Sequence, residues 1–277
     1  MINKKDLSRV RLQLHQAVQL ISASGISFLE KEDDDSHTNM QWLEEQQALA
    51  SHHFGPHKRF RLALNLAQLT YLFFDKDRIS EFALDGKTED EAIEWFLSHL
   101  NKEGMDTTTF TMDKHYSIPE NKQARGEPYK LFDDGMFRLM AEQFAMAAKL
   151  LSRIESKQND TSPVRCWPHH FDLAFLVTLE ANQDPQKMKS VGLGLSPGDG
   201  SYDQPYYYVS PWPYPDKSNL HDDALPGEAF WHISGFTSAI LKAESYLSYS
   251  DMEGELYTFL DQALGVSRKL IAADAKD

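Results

Sequence analysis

The sequence predicts an α+β protein in which mostly antiparallel sheet is flanked by helices. Apolar residues recur at helical spacing in several well-separated stretches, strand-like segments come in runs instead of alternating singly with helices, and short polar turns separate neighbouring strands. Strands joined by short turns pair antiparallel, because a parallel pair needs a crossover of about a dozen residues or more. With 277 residues the chain is long enough to close a substantial core, and it reads as one integral α+β unit, 1–277. The order helix, several strands, helix occurs twice, which suggests two related halves, 1–130 and 131–277.

The first helix is marked by Leu7, Val10, Leu14, Val18 and Ile21 at three- and four-residue steps, with Gly25 expected as its C-terminal cap. Residues 40–50 mix apolar and polar positions without a clear period. Phe60, Leu62, Leu64 and Leu66 then alternate with Arg59, Arg61, Ala63 and Asn65, the pattern of a half-buried strand. Residues 69–74 and 78–84 read as two more strands, turned at Asp75-Lys76-Asp77. Thr88-Glu89-Asp90-Glu91 has capping-box spacing and is followed by Ile93, Phe96, Leu97 and Leu100, with Gly104 just beyond. The threonine-rich stretch 107–112 is expected to be a strand. Asp133 or Asp134 can cap a long helix whose face holds Phe137, Met140, Phe144, Ala148, Leu151 and Ile154. Strands are expected at 171–179, 189–195, 206–209 and 231–241, before a last helix at 252–271. Phe60-Arg61-Leu62-Ala63-Leu64 and Phe171-Asp172-Leu173-Ala174-Phe175 hold similar places in the two halves.

A formal net charge of −14 excludes a general binder of nucleic acid or of anionic membrane, since phosphate contact needs clustered Lys and Arg. The acidic run Glu30-Lys31-Glu32-Asp33-Asp34-Asp35 lacks EF-hand ligand spacing and reads as a solvated loop. A single cysteine, Cys166, excludes an intramolecular disulfide and reads as a small buried hydrophobe. The N-terminal residues from Met1 to Asp6 lack the apolar stretch of a signal peptide, and no run approaches the roughly 20 apolar residues needed to cross a bilayer, so a cytoplasmic location is expected.

Chemical information concentrates between Pro163 and Gly235. Four of the twelve prolines lie in 203–215, where they forbid helix and favour an extended, ladder-poor edge. Tyr206, Tyr208, Trp212 and Tyr214 on this segment, with Trp167 and Trp231, can line a pocket for a planar or sugar-like ligand, because each offers a flat apolar face with a polar handle. His170 and Asp172, two apart on an expected strand, would share one face, with His169 and Phe171 on the other. Joined by His232 they would form a three-ligand site for a zinc-like divalent cation that activates water, with Glu228 or Asp199 as general base. Gly194-Leu195-Ser196-Pro197-Gly198 matches the nucleophile elbow in letters only: Pro197 has no N–H to give an oxyanion, and no helix follows. Gly192-Leu193-Gly194 fails as a dinucleotide fingerprint because no helix N-terminus follows it. His52, His53 and His57 fall in a short segment that reads as an ordinary loop.

The linked segments Arg165-Cys166-Trp167-Pro168-His169-His170-Phe171-Asp172, Gly194-Leu195-Ser196-Pro197-Gly198-Asp199, Tyr208-Val209-Ser210-Pro211-Trp212-Pro213-Tyr214-Pro215 and Trp231-His232 with Gly235-Phe236 resemble an uncharacterised bacterial family of unknown function. The resemblance covers most of the chain and implies one integral fold of bacterial, cytoplasmic origin, with no activity to carry over. The leading expectation is therefore a cytoplasmic small-molecule-binding protein with an aromatic-lined pocket in its second half. The alternatives are a metal-dependent hydrolase using His170, Asp172 and His232, and a non-catalytic interaction module that docks a partner on the Pro/Trp/Tyr edge.

Overall fold

A computed structural model of the chain describes residues 4–76, 78–182 and 184–274; Asp77 of the expected turn and the first three residues of the N-terminal reading lie outside the described residues. The fold is α+β, and its described residues form a five-stranded and a six-stranded antiparallel sheet. The chain divides into two compact units, Met1–Ala145 with Arg165–Phe171, and Met146–Val164 with Asp172–Asp277.

In the first unit α1 (Lys4–Phe28) is followed by β1 (Gln41–Leu43), β2 (Ala48–Ala50), β3 (Phe60–Asn65), β4 (Thr70–Asp75), β5 (Arg78–Ala83) and α2 (Glu89–Lys102). The five strands form an antiparallel meander, with Leu62 opposite Phe73 and Leu64 opposite Tyr71. Phe60, Leu62, Leu64, Tyr71 and Phe73 thus share one face, against which the Tyr71 hydroxyl donates to the Ala17 carbonyl of α1 and the Phe73 ring meets Phe96 of α2 at 6.1 Å. The other face is also apolar at its centre, where Ala48, Ala50, Ala63 and Leu72 pack with Leu43 and Phe74. β3 is therefore buried on both sides at Ala63 instead of half-buried throughout. Cys166 on β6 (Arg165–Trp167) is fully buried and bridges Met40 through paired backbone bonds of 2.8 and 2.9 Å.

The capping box is present: Glu91 N–H donates to Thr88 Oγ1, and Thr88 N–H donates to the Glu91 carboxylate. Two expectations are corrected here. Gly25 does not end α1, which runs on to Phe28; a Cβ at Gly25 would lie 2.4 Å from the His37 carbonyl oxygen, so glycine is needed there for the close passage of another backbone. The stretch 107–112 is loop, not strand. Its polar groups bond to the end of α1 in place of a ladder: Thr111 N–H donates to Ser27 Oγ and Thr109 Oγ1 to the Ser27 carbonyl. Threonine's preference for strands depends on context, and here these bonds to α1 stand where ladder bonds were expected.

α3 (Asp134–Glu155) is capped by Asp133, whose Oδ1 accepts from Met136 N–H. The second unit then holds β7 (Asp172–Glu180), β8 (Lys189–Ser196), β9 (Tyr206–Trp212), β10 (Phe230–His232), β11 (Ser238–Lys242), the short α4 (Ala243–Tyr246) and α5 (Met252–Asp274). The segment expected as one strand at 231–241 is a hairpin turned at Gly235, and β11 sits beside β9. α5 packs on β8 and β9, burying Leu256, Phe259, Leu260 and Ala263 on the sheet face that carries Leu193, Leu195, Tyr207 and Val209.

The proline-rich segment is extended as expected, yet it is not an edge: β9 pairs with β8 on one side and β11 on the other. The prolines explain how both hold. β11 pairs with Tyr206 to Val209 only, so Pro211, which lacks an N–H, falls beyond that ladder. None of the described helices is long and apolar enough to cross a membrane.

Candidate functional site

The two faces of the second sheet differ at β9. Tyr207 points toward α4, its ring 5.5 Å from Tyr246, whereas Tyr206 and Tyr208 lie on the opposite face. There the register aligns Phe230, Ile240, Tyr208, Gly194 and Ala174 across five strands. In the next row Ser210 donates its hydroxyl to Ser238 at 2.9 Å, beside Gly192.

The two glycines of β8 shape this face. A Cβ at Gly194 would lie 2.6 Å from the Tyr208 Cζ and hydroxyl oxygen and 2.8 Å from the Leu173 carbonyl. The end of the Tyr208 ring therefore lies down over Gly194 and donates its hydroxyl to Asp172 on β7. A glycine within a strand marks such a close approach, which is the signal in Gly192-Leu193-Gly194 that a search for phosphate loops passes over.

The loop after β8 closes one side. Ser196 Oγ accepts from Gly198 N–H, so this hydroxyl is turned to its own loop and no helix follows it. Asp199 Oδ1 accepts from Ser201 N–H and Tyr202 N–H, and its Oδ2 accepts the Tyr206 hydroxyl at 2.6 Å. Burial, reinforced by the Asp199 bond, raises the Tyr206 phenol above its ordinary pKa, and burial beside Asp199 does the same for Tyr202. Both stay protonated and act as donors. The Tyr202 ring stands 5.1 Å from Tyr206 and 6.3 Å from Phe230, a wall that the sequence reading did not include.

His232 Nε2 lies 2.6 Å from the Ser234 carbonyl, which can only accept; the ring therefore donates there, and Nδ1 accepts the Tyr202 hydroxyl at 2.7 Å. Both nitrogens are engaged, and Phe236 stacks on the ring at 4.1 Å. The metal reading meets further obstacles. Asp172 on β7 and His232 on β10 are separated by three intervening strands, about 19 Å at the usual strand spacing. His170 does not lie on a strand with Asp172: residues 168–171 form a turn in which Phe171 has φ 57°, and β7 starts only at Asp172. A left-handed residue breaks the pleat, so two-residue alternation cannot carry His170 to the face of Asp172. Among the described residues no group of three or more His, Cys, Asp and Glu side chains could hold a metal ion.

The other expected site residues are dispersed. Trp212 stands edge-on to Tyr214, which is 46% exposed. Trp231 is 7% exposed, and the pleat turns it to the face of Val209, away from Tyr208; among the described residues its Nε1 has no hydrogen-bond partner. Trp167 and His170 belong to the first unit, and Glu228 is exposed in the loop before β10. The structure thus gathers Asp172, Asp199, Tyr206, Tyr208 and His232 on one sheet face, joined by Tyr202 and Phe230. No protein-family model, curated protein or solved structure matches the chain.

Proposed function

We propose that the chain is a cytoplasmic small-molecule-binding protein whose second unit takes a flat, hydroxyl-bearing ligand, sugar-like or planar, on the Tyr208 face of its sheet. The observation that carries this reading is the Tyr208 ring laid over Gly194 and tied to Asp172, which leaves a partly exposed aromatic surface beside the Ser210–Ser238 hydroxyl pair and the bare backbone of Gly192. An aromatic face stacks on apolar ring faces while adjacent carboxylate and hydroxyl groups take up polar ones. With both His232 nitrogens engaged, the hydrolase alternative lacks its third ligand.

The test is a panel of monosaccharides and planar heterocycles followed by thermal shift and tyrosine fluorescence. A hit is expected to weaken at least about tenfold in Tyr208→Ala and in Gly192→Val, which puts a branched side chain on the floor. A ligand whose affinity ignores both substitutions would remove the reading.

A further inference from the structure

The first unit carries a cleft of about 580 Å³ lined by Leu43 of β1, His53, Pro56, His57, Lys58 and Arg59 of the β2–β3 loop, Arg61 of β3, Phe74 of β4 and Lys76 just after it. Among the described residues this lining holds four cationic side chains and no carboxylate, in a chain whose formal net charge is −14. Cations in an acidic protein ordinarily find acids. Arg59 does, bonding Asp75 and Glu103 together with Arg78. Among the described residues Lys58, Arg61 and Lys76 make no ion pair.

Arg61 lines the cleft from β3. Its Nε donates to the Ser51 carbonyl at 2.6 Å and its Nη2 to Gln41 Oε1 at 2.9 Å, two neutral acceptors that orient the guanidinium without neutralising it. Three of its five N–H groups stay available. Burial and the neighbouring Arg165 pull its pKa down to about 10, and the positive field also reaches His53, lowered by burial, Arg61 and Lys58. A partly buried cation with no anion costs folding free energy that a bound anion would recover.

The loop above is held in an unusual shape. Phe54 and Phe60 exchange backbone hydrogen bonds, and between them Gly55 (φ 74°), His57 (φ 57°) and Lys58 (φ 52°) take positive φ. Consecutive left-handed non-glycine residues cost about 1 kcal/mol or more each, and such conformations concentrate at ligand clamps. Leu43, Pro56 and Phe74 supply apolar wall, and Phe74 stands directly across the strand pair from Arg61.

We infer that this cleft is a binding site for a small phosphomonoester, with Arg61, Lys58 and Lys76 facing the dianion and Leu43, Pro56 and Phe74 covering the organic part. Three cations that make no ion pair among the described residues, set around one space, match a double negative charge better than a single one, and the apolar wall distinguishes the ester from inorganic phosphate. This site is separate from the sheet face proposed above, and neither reading depends on the other.

Isothermal titration of the full chain at low ionic strength with phenyl phosphate, inorganic phosphate and benzoate tests it. Phenyl phosphate is expected to bind at least about tenfold tighter than either of the others. Arg61→Gln is expected to weaken it about tenfold or more, whereas Arg78→Gln, which removes a paired cation outside the lining, leaves it within about twofold. Lys58→Glu/Lys76→Glu changes two exposed residues and keeps the test valid should Arg61→Gln fold poorly; it should lose binding as well. No heat with phenyl phosphate at about 10 mM, equal affinity for benzoate, or a loss in Arg78→Gln matching that in Arg61→Gln would overturn the assignment.

Discussion

Alanine in place of glycine should act with opposite sign in two helices of this protein. In a helix interior the exchange is worth about 1 kcal/mol in favour of alanine, through backbone entropy. Gly265 in α5 has no atom within 4 Å of an added Cβ, so Gly265→Ala should realise that gain. At Gly25 in α1 the added Cβ would lie 2.4 Å from the His37 oxygen and 3.2 Å from Thr38 Cα, both backbone atoms. The opposing segment cannot yield cheaply: Thr38 N–H and Oγ1 both bond the Asp35 carbonyl, at 3.0 and 2.8 Å, and Asn39 N–H bonds Ser36. Overpacking of this kind costs about 1–3 kcal/mol and is offset by the propensity gain, so a net loss of up to about 2 kcal/mol is expected, with a gap of about 1–3 kcal/mol between the variants. Urea unfolding followed by far-ultraviolet circular dichroism, with thermal midpoints shifted by about 2–8 °C per kcal/mol, measures it. Equal stability of the two variants, or a stabilised Gly25→Ala, would refute the claim that glycine stands at 25 for backbone clearance.

Thr88→Ala should cost about 1 kcal/mol by opening the capping box of α2, while Glu91→Gln, which keeps the reciprocal acceptor, should cost clearly less; matched urea midpoints decide. His15 is 5% exposed and bonded to the Pro168 carbonyl, and burial lowers its pKa from 6.5 to about 4. The unfolded chain therefore takes up that proton first, so its contribution is present above pH 6.5 and is lost as pH falls toward 4, about 3 kcal/mol in all. His15→Leu should flatten the stability curve between about pH 7 and pH 4.5, and an unchanged slope would assign the acid loss to other groups. Gly194→Ala should displace Tyr208, break its bond to Asp172 and cost about 2–4 kcal/mol. In a Tyr208→Ala background the cost should shrink but persist, because the Leu173 carbonyl still opposes the methyl group at 2.8 Å; an undiminished cost would show that Tyr208 is not what Gly194 accommodates.

Much of this fold is local information. Thr88 and Glu91 sit three apart and bond each other; Asp133 caps the helix it precedes; the 3.6-residue spacing of Leu7, Val10, Leu14 and Val18 buries all four. Such features depend on neighbours within about one turn of chain, and those neighbours are written beside them. The α+β class followed because period and turn spacing are properties of segments. The site was only partly legible. Tyr206, Tyr208, Asp172 and His232 stand out in the sequence by their chemistry, and the sheet sets them on one face beside Asp199 of the loop after β8, but their roles come from partners that no spacing reveals. His232 is closed to a metal by Tyr202, 30 residues away, and Asp172 is tied to Tyr208, 36 away.

The sequence by itself determined the α+β class, the charge balance and the N-terminal caps at Thr88 and Asp133, because each is set by local backbone preference or composition. Only the tertiary structure decided that Gly25 clears a passing backbone, that Phe171 breaks the pleat before β7, that β11 and not β10 adjoins β9, and that Arg61, Lys58 and Lys76 share one cleft. Each of these turns on which distant segments meet. That choice is made by the summed burial of sheets and helices, and it leaves no short-range trace in the order of residues.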